Sequence, residues 1–283
     1  MLNIRISRRG GRPLILLLGV LLMIVHLVAH ASAAGSSVPA AKTTNKTIET
    51  FYSWLNAPWT DDDAPYRNLR HAIDMALANP SSPATIIQQY EDQFRKSPTD
   101  SKALFAFVYS AFKASELPNG IGKTQFLWKF DDLYTSIGTS KIHPPHTYNF
   151  ARLGFLGSAF YNDPALINIG RRLLNHSPND DEVEYYLATA LNFSKVPADR
   201  NQAVSYQQDL ARRFPNSPRP YRLLGLIYYR TAWLNHSQAD ADKSIAAYQR
   251  AFELSPKTQA DRSENDAIIK FIQNLQAQWK RNG

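Results

Sequence analysis

The chain has 283 residues, 44% hydrophobic and 12% aromatic, with 12 Gly, 17 Pro and no Cys. That apolar content excludes a collagen-like or disordered polypeptide, and the missing sulfur excludes disulfide frameworks, cysteine zinc sites, thiol catalysis and cysteine-linked lipid anchors. The net charge of +8 shrinks once Arg5, Arg8, Arg9 and Arg12 are set aside, because 28 basic then face 24 acidic residues, too even a balance for a nucleic-acid binder.

Residues 1–13 are basic and lack any acid, Leu14 to Val28 is an apolar run, and Ala29-His30-Ala31 supplies small residues at the spacing of a cleavage site. The pattern predicts a secretory signal over residues 1–31 or an N-terminal membrane anchor. If uncleaved, the run 14–34 is long enough to cross a bilayer, and membrane contact is expected only there. Either way the body of the protein is expected to be extracytoplasmic: secreted, periplasmic or anchored facing outward. Residues 32–47 are rich in Ser, Ala, Thr and Lys and read as a flexible tether. Residues 48–60, with Phe51, Tyr52, Trp54 and Leu55, predict an N-terminal helix that ends before Pro58.

From residue 61 onward the spacing repeats. Ser244-Tyr248-Ala251-Pro256 marks an amphipathic helix stopped by proline, and the same 4, 3 and 5 intervals recur at Ile86-Tyr90-Gln93-Pro98, Leu166-Gly170-Leu173-Pro178 and Ala203-Gln207-Leu210-Pro215. A fifth set, Phe126-Phe130-Leu133, closes on Gly138. A period of 3.6 places the first three of each set on one buried stripe. Upstream of each lies a second helix. Tyr221-x-x-Leu224-Gly225-x-x-Tyr228 and Phe150-x-x-Leu153-Gly154-x-x-Gly157 are the clearest, while Glu184-x-x-Leu187-Ala188, Leu104-x-x-Phe107-Val108 and Tyr66-x-x-Leu69-Arg70 are looser. The small residue beside Leu lets two helix backbones approach closely.

With that spacing the chain resembles the tetratricopeptide repeat family, whose W-x₂-L-G-x₂-Y, A-x₃-F and P pattern recurs about every 34 residues. The resemblance implies an all-α fold: a right-handed α-solenoid of about five helical hairpins filling residues 61–283. Repeats are expected near 63–98, 101–138, 147–178, 181–215 and 218–256, with a capping helix at 259–280. No unit has Trp at the first aromatic place, and Arg70 stands where a small residue is expected.

Isolated chemical motifs yield to structural readings. Gly122-Lys123-Thr124 has Leu117 where a phosphate loop needs glycine. His143-Pro144-Pro145-His146 has neither helical spacing nor a carboxylate beside it in sequence, so no metal site is expected. Asp61-Asp62-Asp63 lacks the alternating ligands of a calcium loop and reads as helix-capping acid. No catalytic constellation stands out and no cofactor is expected.

In this family the first helix of each pair lines a groove. Carried over, the groove residues are Arg67, His71, Lys102, Phe105, Tyr109, Lys113, Tyr148, Phe155, Tyr185, Asn192, Arg219, Arg222, Tyr229 and Arg230. Aromatic and Arg side chains suit a binding surface, and the basic sign favours an acidic or C-terminal-carboxylate ligand. The expected function is a non-enzymatic scaffold or adaptor that binds a protein or peptide. The alternative is an enzyme or glycan-processing accessory whose site is built from the insertions between paired helices.

Overall fold

The computed structural model describes residues 45–60, 63–78, 82–117, 120–159, 165–255 and 259–282. The signal or anchor segment, most of the tether, Asp61, Asp62 and Pro256 lie outside the described residues. Among the described residues the structure is helical with no strand: α1 Asn45–Asn56, α2 Ala64–Ala78, α3 Pro83–Lys96, α4 Ser101–Ser115, α5 Lys123–Gly138, α6 Tyr148–Ser158, α7 Leu166–His176, α8 Asp181–Phe193, α9 Pro197–Arg213, α10 Pro218–Asn235, α11 Gln238–Leu254 and α12 Gln259–Asn282. The all-α expectation holds. No helix of the described residues is long and apolar enough to cross a membrane.

One short motif sets where many of these helices stop and start. α3, α7 and α9 each end two residues before a proline, Pro98, Pro178 and Pro215. The residue before proline is driven out of the helical region, so the helix cannot run on. The proline then occupies the second place of a turn closed by Asp100 N to Ser97 O (2.9 Å), Asp180 N to Ser177 O (3.2 Å) and Ser217 N to Phe214 O (3.0 Å). The turn's last residue is the N-cap of the next helix: Asp100 accepts from Lys102 N, Asp180 from Val183 N and Ser217 from Arg219 N. Helix stop, turn and helix start are thus encoded in four residues.

The described residues form two compact units, those within 1–54 and 64–145 and those within 55–63 and 146–283. In the first, α4 packs against α2, α3 and α5. It is therefore enclosed on nearly every side, with Leu104 to Phe112 all buried. An aromatic core follows from it: Phe94 stacks on Phe107 (5.7 Å), Phe112 meets Phe126 edge-on, and Phe51 of α1 meets Phe130 at 6.2 Å. α1 begins within the segment expected to be tether, because Thr47 lies against Gly138, where a Cβ would come within 2.5 Å of the Thr47 methyl.

In the second unit each helix from α6 to α12 packs on the next, and α6 with α8 and α8 with α10 also touch. This is the stacking of helical hairpins, in which each first helix meets both its partner and the next first helix. The glycines sit where backbones come closest. A Cβ on Gly170 would lie 2.9 Å from Leu187 and Phe155, and one on Gly225 would lie 2.8 Å from the Tyr248 ring. α12 closes this unit on α11, burying Ile272 and Leu275, with Ile268, Ile269 and Trp279 half-covered.

The buried stripe appears as expected for the sets beginning at Phe126, Leu166, Ala203 and Ser244. In the set beginning at Ile86 it shifts: Gln93 is exposed, Tyr90 is half-buried, and Phe94 carries the packing against Phe107. Phe94, one residue later, supplies the apolar ring that packs there.

Candidate functional site

The residues drawn from the resemblance fall into two groups. In the first unit Arg67, His71 and Lys102 are exposed and Lys113 is half-buried, but Phe105 and Tyr109 are enclosed. Their rings stack at 5.6 Å, and the Tyr109 hydroxyl donates to Asp74 Oδ1 at 2.9 Å. Lys102 and Lys96 border an open hollow of about 650 Å³ lined also by Pro65, Leu69, Ala103 and Ala106.

In the second unit Tyr148, Phe155 and Asn192 are buried. Phe155 faces Gly170 in the core. The Tyr148 hydroxyl donates to Asp180 Oδ2 at 2.8 Å, and burial together with that carboxylate pushes the phenol far up. Arg152, itself buried, bridges Asp180 and Glu182. Burial works to raise Asp180, but Arg152, Tyr148 and the Val183 N–H outweigh it and hold the carboxyl below its ordinary range. This network braces the start of α8 against α6 and offers no open valence. The side chain of Asn192 is fully enclosed, and neither its oxygen nor its nitrogen has a hydrogen-bond partner among the described residues.

What remains accessible is the seam between α8 and α10. Arg219 lies 3.8 Å from the Tyr185 ring centroid and 5.1 Å from Tyr186. At the other end Arg230 lies 5.1 Å from Phe193 and donates to Asn192 O at 2.5 Å. Burial and the like charge of Arg200 lower the Arg230 pKa. Arg222, exposed between them, donates to Ser255 Oγ at 2.8 Å. Tyr229 turns away to α12, its ring 6.0 Å from Phe271, and burial pushes its phenol up to about 12. α10 contains three arginines and no acid. A guanidinium that rests on a ring has already lost much of its rotamer freedom.

Two features escaped the sequence reading. Glu184 occupies the first aromatic place of its repeat yet is buried, paired with Arg213. Burial, opposed by Arg213 and reinforced by Asp209 and Asp181, raises its pKa to about 7. The second is Asp63, which accepts from Asn149 N (3.0 Å) and Asn149 Nδ2 at the start of α6. Among the described residues no group of three His, Asp or Glu side chains is placed to hold a metal ion.

Comparison with known proteins returns one family match: residues 165–264 fit the family described as Tetratricopeptide Repeats-Sensor. Neither a curated protein nor a solved structure matches the chain. The match begins just before α7, runs through α8 to α11 and ends within α12, so it contains the α8–α10 seam. Residues 165–264 are thus similar to tetratricopeptide repeats, and their stacked hairpins are the fold that this similarity implies.

Proposed function

We propose that the protein is a non-enzymatic scaffold exposed outside the cytoplasm, and that the α8–α10 seam holds an acidic stretch of a protein partner. Repeats of this type present extended surfaces for proteins or peptides. The observation that carries the reading is the chemistry of α10: Arg219 and Arg230 rest on α8 aromatics, Arg222 of the same helix is exposed, and the helix contains no acid. Preorganised cations lose little entropy when a carboxylate arrives, so their binding free energy is not spent on ordering side chains. The location rests on residues 1–31, whose basic start, apolar run and small-residue end support export.

The test is fluorescence anisotropy with acidic, neutral and basic peptides of equal length and aromatic content. Acidic peptides should bind preferentially, and raising salt from 50 to 200 mM should weaken them several-fold. Arg222→Glu should lower their affinity by roughly tenfold, the cost of one charge-assisted contact. Arg212→Glu, on an exposed part of α9, should leave it unchanged. Equal binding of all three peptides would remove the seam from consideration.

A further inference from the structure

Residues 56–63 run from α1 to α2, and residues 57–60 are not helical. The second unit nevertheless holds the segment at four separate points. Arg172 of α7 donates from Nη1 to Asn56 O at 2.7 Å and from Nη2 to Ala57 O at 2.5 Å. Its guanidinium also lies 4.3 Å from the Trp59 ring centroid. The indole stands edge-on to Tyr148 (5.8 Å) and to His176 (5.3 Å), which stack on one another at 4.8 Å. Thr60 N donates to His146 O at 2.6 Å, and the Asp63 carboxylate takes the Asn149 amide N–H at the first turn of α6.

These contacts are the vocabulary of peptide recognition rather than of core packing. Two consecutive carbonyls meet a forked guanidinium, one aromatic side chain enters a cleft of rings and cation, one main-chain N–H pairs in extended fashion, and one acid meets a helix N-terminus. Every feature being read can be offered by a different extended segment. The reading side belongs to helices with other anchors: Tyr148 is fixed by Asp180, and α6 and α7 pack on α8. Asn56, Pro58 and Thr60 are exposed, whereas Ala57 and Trp59 are half-buried.

We infer that the α6–α7 face is a peptide-docking site for extended segments carrying an aromatic residue and, four residues later, an acid, and that residues 56–60 together with Asp63 occupy it in cis. A partner segment of that pattern displaces the chain's own. Tethering gives the resident segment an effective concentration on the order of millimolar, which a partner must exceed in concentration or affinity. This site is distinct from the α8–α10 seam and stands or falls separately.

The probe is a fluorescein-labelled peptide with the sequence of residues 55–63, LNAPWTDDD, titrated into the full chain. In Trp59→Ala the resident segment loses its aromatic anchor, and the peptide should bind at least roughly tenfold more tightly than to the unaltered chain. Arg172→Ala added to that variant should abolish the gain, as should a peptide with Ala at the tryptophan or at the last aspartate. A second measurement avoids any variant that folds poorly. Unlabelled peptide added to the unaltered chain should speed amide hydrogen exchange of residues 55–60 several-fold while leaving α8 unchanged. Tight peptide binding that ignores Arg172, or exchange at residues 55–60 unmoved by millimolar peptide, overturns the inference. A dimer in light scattering formed without peptide, and dissolved by it, would make the occupant a second copy and overturn the partner assignment.

Discussion

At the scale of single residues Glu184 is the most consequential. Its position in the repeat calls for a large apolar side chain, yet the chain places a carboxyl there and answers it with Arg213. Burial wins over that partner and brings the pKa to about 7, against 4.5 for a free side chain. A group that titrates higher in the folded state favours folding when protonated. Its contribution is therefore complete below about pH 4.5 and is lost as pH rises through about 7. Glu184→Gln keeps the shape of the protonated form and cannot ionise. Chemical denaturation of both proteins between pH 4 and 8 should show the difference, variant minus unaltered chain, growing more positive through that window. A difference that stays flat would mean that Arg213 fully compensates the charge. Sequence alone could not expose this residue as anything but a departure from pattern, because its titration depends on what α9 lays over it.

At the scale of helices the legible part was the part governed by packing. The 4, 3 and 5 spacing found the buried stripes of α5, α7, α9 and α11, where small and apolar side chains predominate and Gln207 is the buried exception. It misplaced the α3 stripe, where Phe94 outcompetes Gln93. The residues drawn from the resemblance divide into buried and accessible ones for a related reason. Helices such as α8 meet both a partner and the next first helix, so their buried arc is wider than that of a surface helix, and Phe105, Tyr109, Tyr148, Phe155 and Asn192 fall inside such arcs. Arg222 stays exposed, and Arg219 and Arg230 settle half-buried on rings, because guanidiniums resist full burial. The segment at Trp59 had no local signature, because the side chains that hold it belong to α6 and α7. The glycine in α10 gives the test at this scale. Gly225→Val drives a branched side chain toward the Tyr248 ring, already 2.8 Å from an ideal Cβ, and crowds the Ser244 bond to Gly225 O. The gain in helix propensity from losing glycine is about 1 kcal/mol at most, smaller than the overpacking cost of about 1–3 kcal/mol together with a lost buried hydrogen bond. Thermal unfolding by circular dichroism should show a Tm lower by several degrees. An unchanged Tm would show that α10 and α11 have room to separate.

At the scale of the whole molecule the two compact units each possess their own interior. One is built on Phe51, Phe105, Phe107, Phe112, Phe126 and Phe130, the other on Phe150, Phe155, Leu187, Leu191 and the alanines and leucines of α10 and α11. Residues 55–63 are sequence neighbours of α1 and α2 but belong with the second interior, so the chain passes between the units more than once. Separate interiors predict separate local stabilities, since amides exchange by opening the cooperative element to which they belong. Phe107 is fully buried and stacked on Phe94, and Phe107→Ala should cost the first unit about 3–5 kcal/mol. That corresponds to roughly a hundredfold or more faster amide exchange for α4 and α5 under native conditions. Hydrogen-exchange mass spectrometry should find α8 to α11 within a factor of about two of their rates in the unaltered chain, because none of their packing atoms has been removed. A uniform acceleration across α2 to α12 would instead mean that the repeats open as one cooperative array, with the two interiors thermodynamically inseparable.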